Sequence, residues 1–301
     1  MVVNGCKYLL LLCVICCCVG RSQAQTIDSS KTTLKVVSWN IQMLPNAMGV
    51  FSSSLRKKQR ERLPWIVAHC QQKDYDVIVF QEVFDVQIKA KIRKALRATY
   101  PHQVNTKTKF GRFTSNGILI VSKLKMEYID HVIYTKGAHE DGMAAKGCTL
   151  VEVEKEGEKL QIAGTHLQAG NSDAAKQHRA SQYLSIKQLI DKHQAAEKPL
   201  LVVGDMNTAK ADTARYELML ASLQVEDFDL DDDSPYTIDN KNSWNRGQKV
   251  PKQLDYIFLQ KRQTQTRILH QQIIRPRQLY KGQWMDLADH YGIVGAVELS
   301  E

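Results

Sequence analysis

Eight stretches of the chain carry enough Val, Ile, Leu and Phe, bounded by Gly, Asp and Asn, to predict β-strands. They are LKVVSWNI (34–41), YDVIVFQEV (75–83), NGILIVSK (116–123), CTLVEVE (148–154), KLQIAGTH (159–166), PLLVVGDMN (199–207), LDYIFLQ (254–260) and YGIVGAVEL (291–299). Glu156-Gly157 between the fourth and fifth predicts a hairpin. Helical periodicity is interleaved with these runs. VQIKAKIRKAL puts Ile88, Ile92 and Leu96 four apart, on one face. The stretch 174–193 gathers Tyr183, Leu184, Ile186, Leu189 and Ile190 mostly to one side, and 212–223 opens on Asp212 as an N-cap. Strands outnumber helices, and hairpins mix with helical crossovers. The expectation is an α/β fold with two mixed sheets packed face to face and flanked by helices.

The apolar runs end in a patterned way. Four finish on an amide, a carboxylate or an imidazole: Asn40, Glu82, His166, and Asp205 with Asn207. Two others open with polar groups, Asp255 and the Asp289-His290 pair. Strand ends are rigid platforms for function. If all six places share one edge, two strands must run opposite to the other four. A lone Asp or Asn after a strand is usually a turn former, and a lone His is usually structural. Their joint occurrence at strand ends points to a site. Glu, Asp and Asn oxygens without cysteine suit Mg²⁺, Mn²⁺ or Ca²⁺ rather than zinc. Two histidines beside such an ion suit general acid–base hydrolysis. With no Gly-rich phosphate loop and no serine elbow, direct attack by water is the simpler chemistry.

Composition adds a targeting segment. Leu9–Val19 is apolar but shorter than the ~20 residues a membrane span needs. With Ser22 and Ala24 behind it, it reads as a secretory signal cleaved after Ala24, which places the mature chain outside the cell or in a periplasm. A lipid anchor on Cys16, Cys17 or Cys18 is the alternative. Residues 25–301 are then one domain, with no linker or repeat. Removing residues 1–24 takes away Lys7 and Arg21 and no acid, which lowers the net charge from +9 to +7. That modest excess suits a phosphate-bearing partner only weakly. Only Cys70 and Cys148 remain, which excludes a disulfide scaffold and predicts two buried thiols.

The motifs VVSWNIQML, DVIVFQEVFD, SNGILIVSK, IAGTHLQAG, LVVGDMNT, LDYIFL and LADHYGIV occur in the order found in the endonuclease/exonuclease/phosphatase superfamily. Through FQEVFD, GTHLQA and GDMN the chain most resembles the secreted, bacterial-type neutral sphingomyelinases. The resemblance covers about Leu34 to Leu299 and implies a four-layered α/β sandwich. It implies a Mg²⁺-dependent phosphodiesterase, with Mn²⁺ or Co²⁺ able to substitute, that hydrolyses sphingomyelin to ceramide and phosphocholine. Carried over by motif, Glu82, Asn40 and Asp205 would hold the metal, and Asn207 and His166 the substrate phosphate. His290 would take a proton from water, Asp289 would orient it, and Asp255 would support His166. A secreted nuclease, or a phospholipase C acting on another lipid, is the alternative. A monomer and no protein partner are expected.

The segment RPRQLYKGQWMDLADH (275–290) stands where this family carries a longer aromatic hairpin. Tyr280, Trp284 and Met285 among cations suit a membrane interface. Gly170 stands where an acid is often seen, and NSWN carries Asn245 where Asp is usual. The acidic run Glu226–Ser234 is a solvated loop or a second, Ca²⁺ site.

Overall fold

The computed structural model describes residues 31–45, 53–105 (backbone only for 53–56), 115–135, 145–193, 198–247, 249, 251–261 and 264–299. The expected signal segment lies outside them. In chain order the elements are β1 (Thr32–Met43), α1 (Ser53–Gln72), β2 (Val77–Val83), α2 (Val86–Leu96), β3 (His102–Val104), β4 (Leu119–Ser122), β5 (Lys125–Ile133), β6 (Gly147–Lys155) and β7 (Glu158–His166). They continue with α3 (Asp173–Lys192), β8 (Leu200–Asp205), α4 (Thr213–Leu223), β9 (Val225–Glu226), β10 (Asp255–Gln260), β11 (Arg267–Ile274), β12 (Arg277–Tyr280), β13 (Gln283–Asp286) and β14 (Gly292–Leu299).

Two six-stranded sheets form, in the orders β11-β14-β1-β2-β4-β3 and β5-β6-β7-β8-β10-β9. Each has a parallel pair at its centre, β1 with β2 and β7 with β8. Antiparallel strands flank each pair: β14 and β4 in one sheet, β6 and β10 in the other. β10 and β14 therefore begin at the edge where β1, β2, β7 and β8 end, which is the reversal expected from the polar termini.

Three buried clusters define four layers. Val36, Val77, Val79 and Ile120 of one sheet meet Val151, Ile162, Val203 and Ile257 of the other. The outer face of the first sheet packs Val37, Ile78 and Phe80 against Ile66 of α1 and Ile88, Ile92 and Leu96 of α2. The outer face of the second packs Leu150, Val202 and Phe258 against Tyr183, Ile186 and Ile190 of α3 and Met219 of α4. Both faces of each sheet are covered, which is why its strands read as near-continuous apolar runs. Burying each such side chain contributes about 1.5–3 kcal/mol.

Local chemistry explains the connections. Asp85 caps α2, its Oδ1 accepting from the Ile88 amide at 2.9 Å. Glu156 and Gly157 both have positive φ, as a two-residue hairpin turn requires. Gly204 is needed for close approach: a Cβ there would lie 1.9 Å from the Thr165 carbonyl oxygen. Any side chain at 204 would push β8 from β7 beside the site. Two expectations are refined. Asp212 occupies the N-cap position of α4 as expected, but its side chain makes no cap bond and its carboxylate pairs with Arg215 at 3.1 Å. Leu184 points outward from α3, 57% exposed. Cys70 and Cys148 are free and buried, on opposite outer faces of the sandwich.

The segment before Asp289 is a β-hairpin rather than a plain loop, β12 pairing with β13 across Lys281-Gly282. Leu279 pairs with Trp284, and both are half exposed. The expected lipid contact at Met285 is corrected, because alternation turns it to the opposite face and buries it. Tyr280 is also partly withdrawn, donating to Glu61 Oε2 at 2.6 Å and packing edge-on against Trp65. Among the described residues, no helix is long and apolar enough to cross a membrane.

Candidate active site

Strand register brings the polar termini together. His166 is in register with Asp205 across the parallel β7–β8 pair, and Asp205 with Asp255 across β8–β10. From the facing sheet, the Asn40 amide donates to Asp205 Oδ2 at 3.1 Å. Glu82 Oε1 lies 3.8 Å from His166 Nε2, which is 3.4 Å from Asp205 Oδ2. His290 Nε2 lies 3.9 Å from the same Asp205 oxygen. Asn40, Glu82, His166, Asp205, Asp255 and His290 are thus placed around one space, with Asn207 two residues beyond Asp205 and Asp289 beside His290 in the chain. Glu82 and Asn207 hold left-handed φ of 58° and 48°, and so does Gln42 at 50°. For Glu82 this conformation costs on the order of 1–3 kcal/mol. It is the turn that throws the carboxylate off the end of β2.

Two assigned roles change. His290 Nδ1 is 2.7 Å from Asp255 Oδ2, so Asp255, and not Asp289, orients this ring. The cause is the sheet: β10 lies beside β8 and faces the His290 loop, whereas Asp289 turns away and accepts from Gln42 Nε2 at 2.6 Å. Asp255 accordingly supports His290 instead of His166.

Residues absent from the sequence expectations complete the site. Lys146 Nζ is 3.1 Å from His166 Nε2 and donates to the Leu167 carbonyl at 2.9 Å. It is nearly fully buried, but in sequence it is an ordinary lysine before a strand. The loop that delivers His290 is held by its backbone. The carbonyl of Asp286 accepts from Trp244 Nε1, that of Leu287 from Arg62 and that of Ala288 from Asn242. The Asp289 carbonyl accepts from Asn245 and the His290 carbonyl from Trp39 Nε1. Five consecutive carbonyls are thus each taken by a different side chain. Asn245, the departure in NSWN, donates through its amide, and an Asp there would have no hydrogen to give. Arg62 also donates to the Gln42 carbonyl at 3.0 Å, tying the end of β1 to the same loop.

Burial and crowding of like charge set the electrostatics. Desolvation and then Asp289 push Glu82 up to about 7. Desolvation and then Asp255 push Asp205 up to about 6. Burial alone would lower His290, but Asp255, Asp205 and Asp289 together raise it well above the usual histidine value. Burial, with Lys146 and His290 adding to it, drives His166 well below that value.

These carboxylates fit a divalent cation. Ligand atoms of Asp205, Asp255 and His290 lie within 4.8 Å of one another. Asp255 and His290 already bond each other, so the acids with the least compensated charge are Glu82 and Asp205. Hard oxygen donors with uncompensated negative charge are what Mg²⁺ takes. Among the described residues, the acidic run Glu226–Ser234 contributes to no group of three potential ligand atoms, and several of its carboxylates are already paired. Asp227 pairs with Lys210 at 2.8 Å and Asp232 with Arg275 at 2.7 Å.

Comparison with known proteins agrees with this fold. Residues 37–277 match the model of the Endonuclease/Exonuclease/phosphatase family. The chain is 31% identical over 291 residues to a sphingomyelinase C of Leptospira interrogans, covering 88% of this chain and 51% of that protein. It therefore spans about half the length of that relative. It is 28% identical over 293 residues to a phospholipase C of Staphylococcus aureus, covering 87% of this chain and 86% of the other. Among solved structures, a Staphylococcus aureus beta toxin with bound magnesium ions superposes with a TM-score of 0.73 at 26% identity, covering 88% of this chain and 99% of that one.

Proposed function

The chain belongs to the endonuclease/exonuclease/phosphatase family, and on that footing we propose that it is a secreted, Mg²⁺-dependent phosphodiesterase that hydrolyses sphingomyelin to ceramide and phosphocholine. The observation that carries the proposal is the His290–Asp255 pair facing His166, Asp205 and Glu82 across one cleft. The lipid substrate is supported by relatives named sphingomyelinase C and phospholipase C and by the exposed Leu279–Trp284 pair beside the His290 loop.

Glu82, Asp205 and Asn40 would hold the divalent ion, which when bound supplies neutralising charge at the phosphoryl oxygens. Asp255 accepts from the His290 Nδ1 proton and leaves Nε2 directed at the cleft. His290 Nε2 takes a proton from the attacking water. A cation held by Asp205 offsets one of the acids that raise His290, and so favours the neutral ring a base needs. Lys146 and His166 face the developing phosphoryl charge from the opposite side, where fixed donors stabilise it without reorganisation. Asn207 commits one amide hydrogen to the Leu167 carbonyl and keeps the second for a phosphate oxygen.

The test offers sphingomyelin vesicles, phosphatidylcholine vesicles and supercoiled plasmid DNA to the full chain with Mg²⁺. Phosphocholine release from sphingomyelin exceeding that from phosphatidylcholine is expected. Plasmid cleavage without lipid turnover would assign the site to a nuclease.

A further inference from the structure

A groove of about 650 Å³ runs between the first turns of α1, the β12–β13 hairpin and residues 243–246. Four cations line it: Lys57, Lys58, Arg246 and Lys281. Glu61 is the one carboxylate among the described lining residues, and its Oε2 accepts from Tyr280. Lys58 Nζ stands 5.8 Å over the Trp244 ring and Lys281 Nζ 5.3 Å over the Tyr280 ring. Aromatic faces thus hold two of the cations in place. None of the four forms an ion pair with a described residue, whereas Lys210 and Arg275 elsewhere on the surface do.

We propose that this groove binds the headgroups of an anionic membrane surface, separately from the residues around the scissile phosphate. The proposal rests on the lipid reading given above. Scattered surface lysines are ordinarily just solvated. Here four cations converge on one concavity against Trp244 and Tyr280, with Glu61 the single opposing charge among its described lining residues. A lipid surface is favoured over a nucleic acid because Leu279 and Trp284 pair across the same hairpin and are half exposed. An apolar pair beside cations suits the headgroup boundary and gains nothing from a phosphodiester backbone. Each basic residue close to an anionic leaflet strengthens binding by roughly fivefold, an effect that salt screens.

The experiment is co-sedimentation of the full chain with vesicles of phosphatidylcholine alone, and of phosphatidylcholine with part of the lipid replaced by phosphatidylserine. The comparison is the triple variant Lys57→Ala, Lys58→Ala and Lys281→Ala, three exposed positions, with circular dichroism as the check that its fold matches the wild type. The wild type is expected to prefer the anionic vesicles by at least about tenfold at low salt. The variant loses most of that preference and binds neutral vesicles as before. A wild type indifferent to phosphatidylserine overturns the proposal, and so does a variant that keeps the full preference. Duplex DNA retained by the wild type and lost by the variant, without lipid preference, would reassign the groove to nucleic acid. Sphingomyelin is absent from these vesicles, so failure here leaves the hydrolytic reading standing. Missing sphingomyelin turnover with intact anionic preference would sink that reading alone.

Discussion

Glu82 is held against its own chemistry. Folding raises its carboxyl from the usual 4.5 to about 7, through desolvation first and the nearby Asp289 second. At about 1.4 kcal/mol per pH unit, keeping it ionised costs the folded, metal-free protein on the order of 3 kcal/mol. The sign follows from linkage: the folded pKa lies above the unfolded one and the group is an acid. The cost is fully present above pH 7 and disappears as pH falls from 7 towards 4.5, where the native state takes up a proton first. Glu82→Gln removes the charge and keeps the shape. In EDTA at pH 8 the variant is expected to be more stable than the wild type by about 1–3 kcal/mol, which for a domain of this size is several degrees in Tm. Adding Mg²⁺ should raise the wild-type Tm and barely move the variant. Differential scanning calorimetry with and without Mg²⁺ makes the comparison. Equal Mg²⁺ shifts in the two proteins, or a variant less stable than the wild type in EDTA, would refute the assignment of Glu82 as a strained cation ligand.

Other consequences follow from the same geometry. Asp255→Asn should lower kcat by roughly 10²–10⁴ with little change in KM, since it loses the acceptor that orients His290, while Asp289→Asn should cost less; the reverse order would contradict the pairing at 2.7 Å. Replacing Leu279 and Trp284 together with Ser should weaken vesicle binding by about 1–2 kcal/mol per side chain and leave hydrolysis of a soluble diester unchanged; unaltered vesicle binding would remove the hairpin from the interface. His69 is lowered to about 4 by burial and by Lys73. The unfolded chain therefore binds its proton first, and stability is lost as pH falls from 6.5 towards 4. His69→Gln should flatten that part of the pH–stability profile, by about 2 kcal/mol after discounting for partial exposure; an unchanged acid limb would place the sensitivity elsewhere.

The strand ends were legible because four apolar runs stop on Asn40, Glu82, His166 and Asp205 and two more open on polar groups; each alone reads as a turn former or a structural residue, but together they point to a site. The reversed direction of β10 and β14 followed from polar groups at their starts. The edge strands β3, β5 and β11 were not found, since their half-exposed residues blur the apolar pattern on which strand recognition depends. The partner of His290 was not legible either. Asp289 is its neighbour in sequence, but the ring meets Asp255 because β10 pairs with β8, a contact between distant segments. Lys146 gave no signal, as burial beside an imidazole is a tertiary fact. The facing of Tyr280 and Met285 depended on hairpin register, which a two-residue turn fixes but composition does not.

The most direct measurement is phosphocholine release from sphingomyelin vesicles by the full chain and by His290→Ala, each with Mg²⁺ and with EDTA. Turnover is expected only from the wild type with Mg²⁺, with the variant folded and at least about 10³-fold slower. Turnover that survives EDTA, or an active His290→Ala protein, would contradict a metal-dependent phosphodiesterase in which His290 activates water.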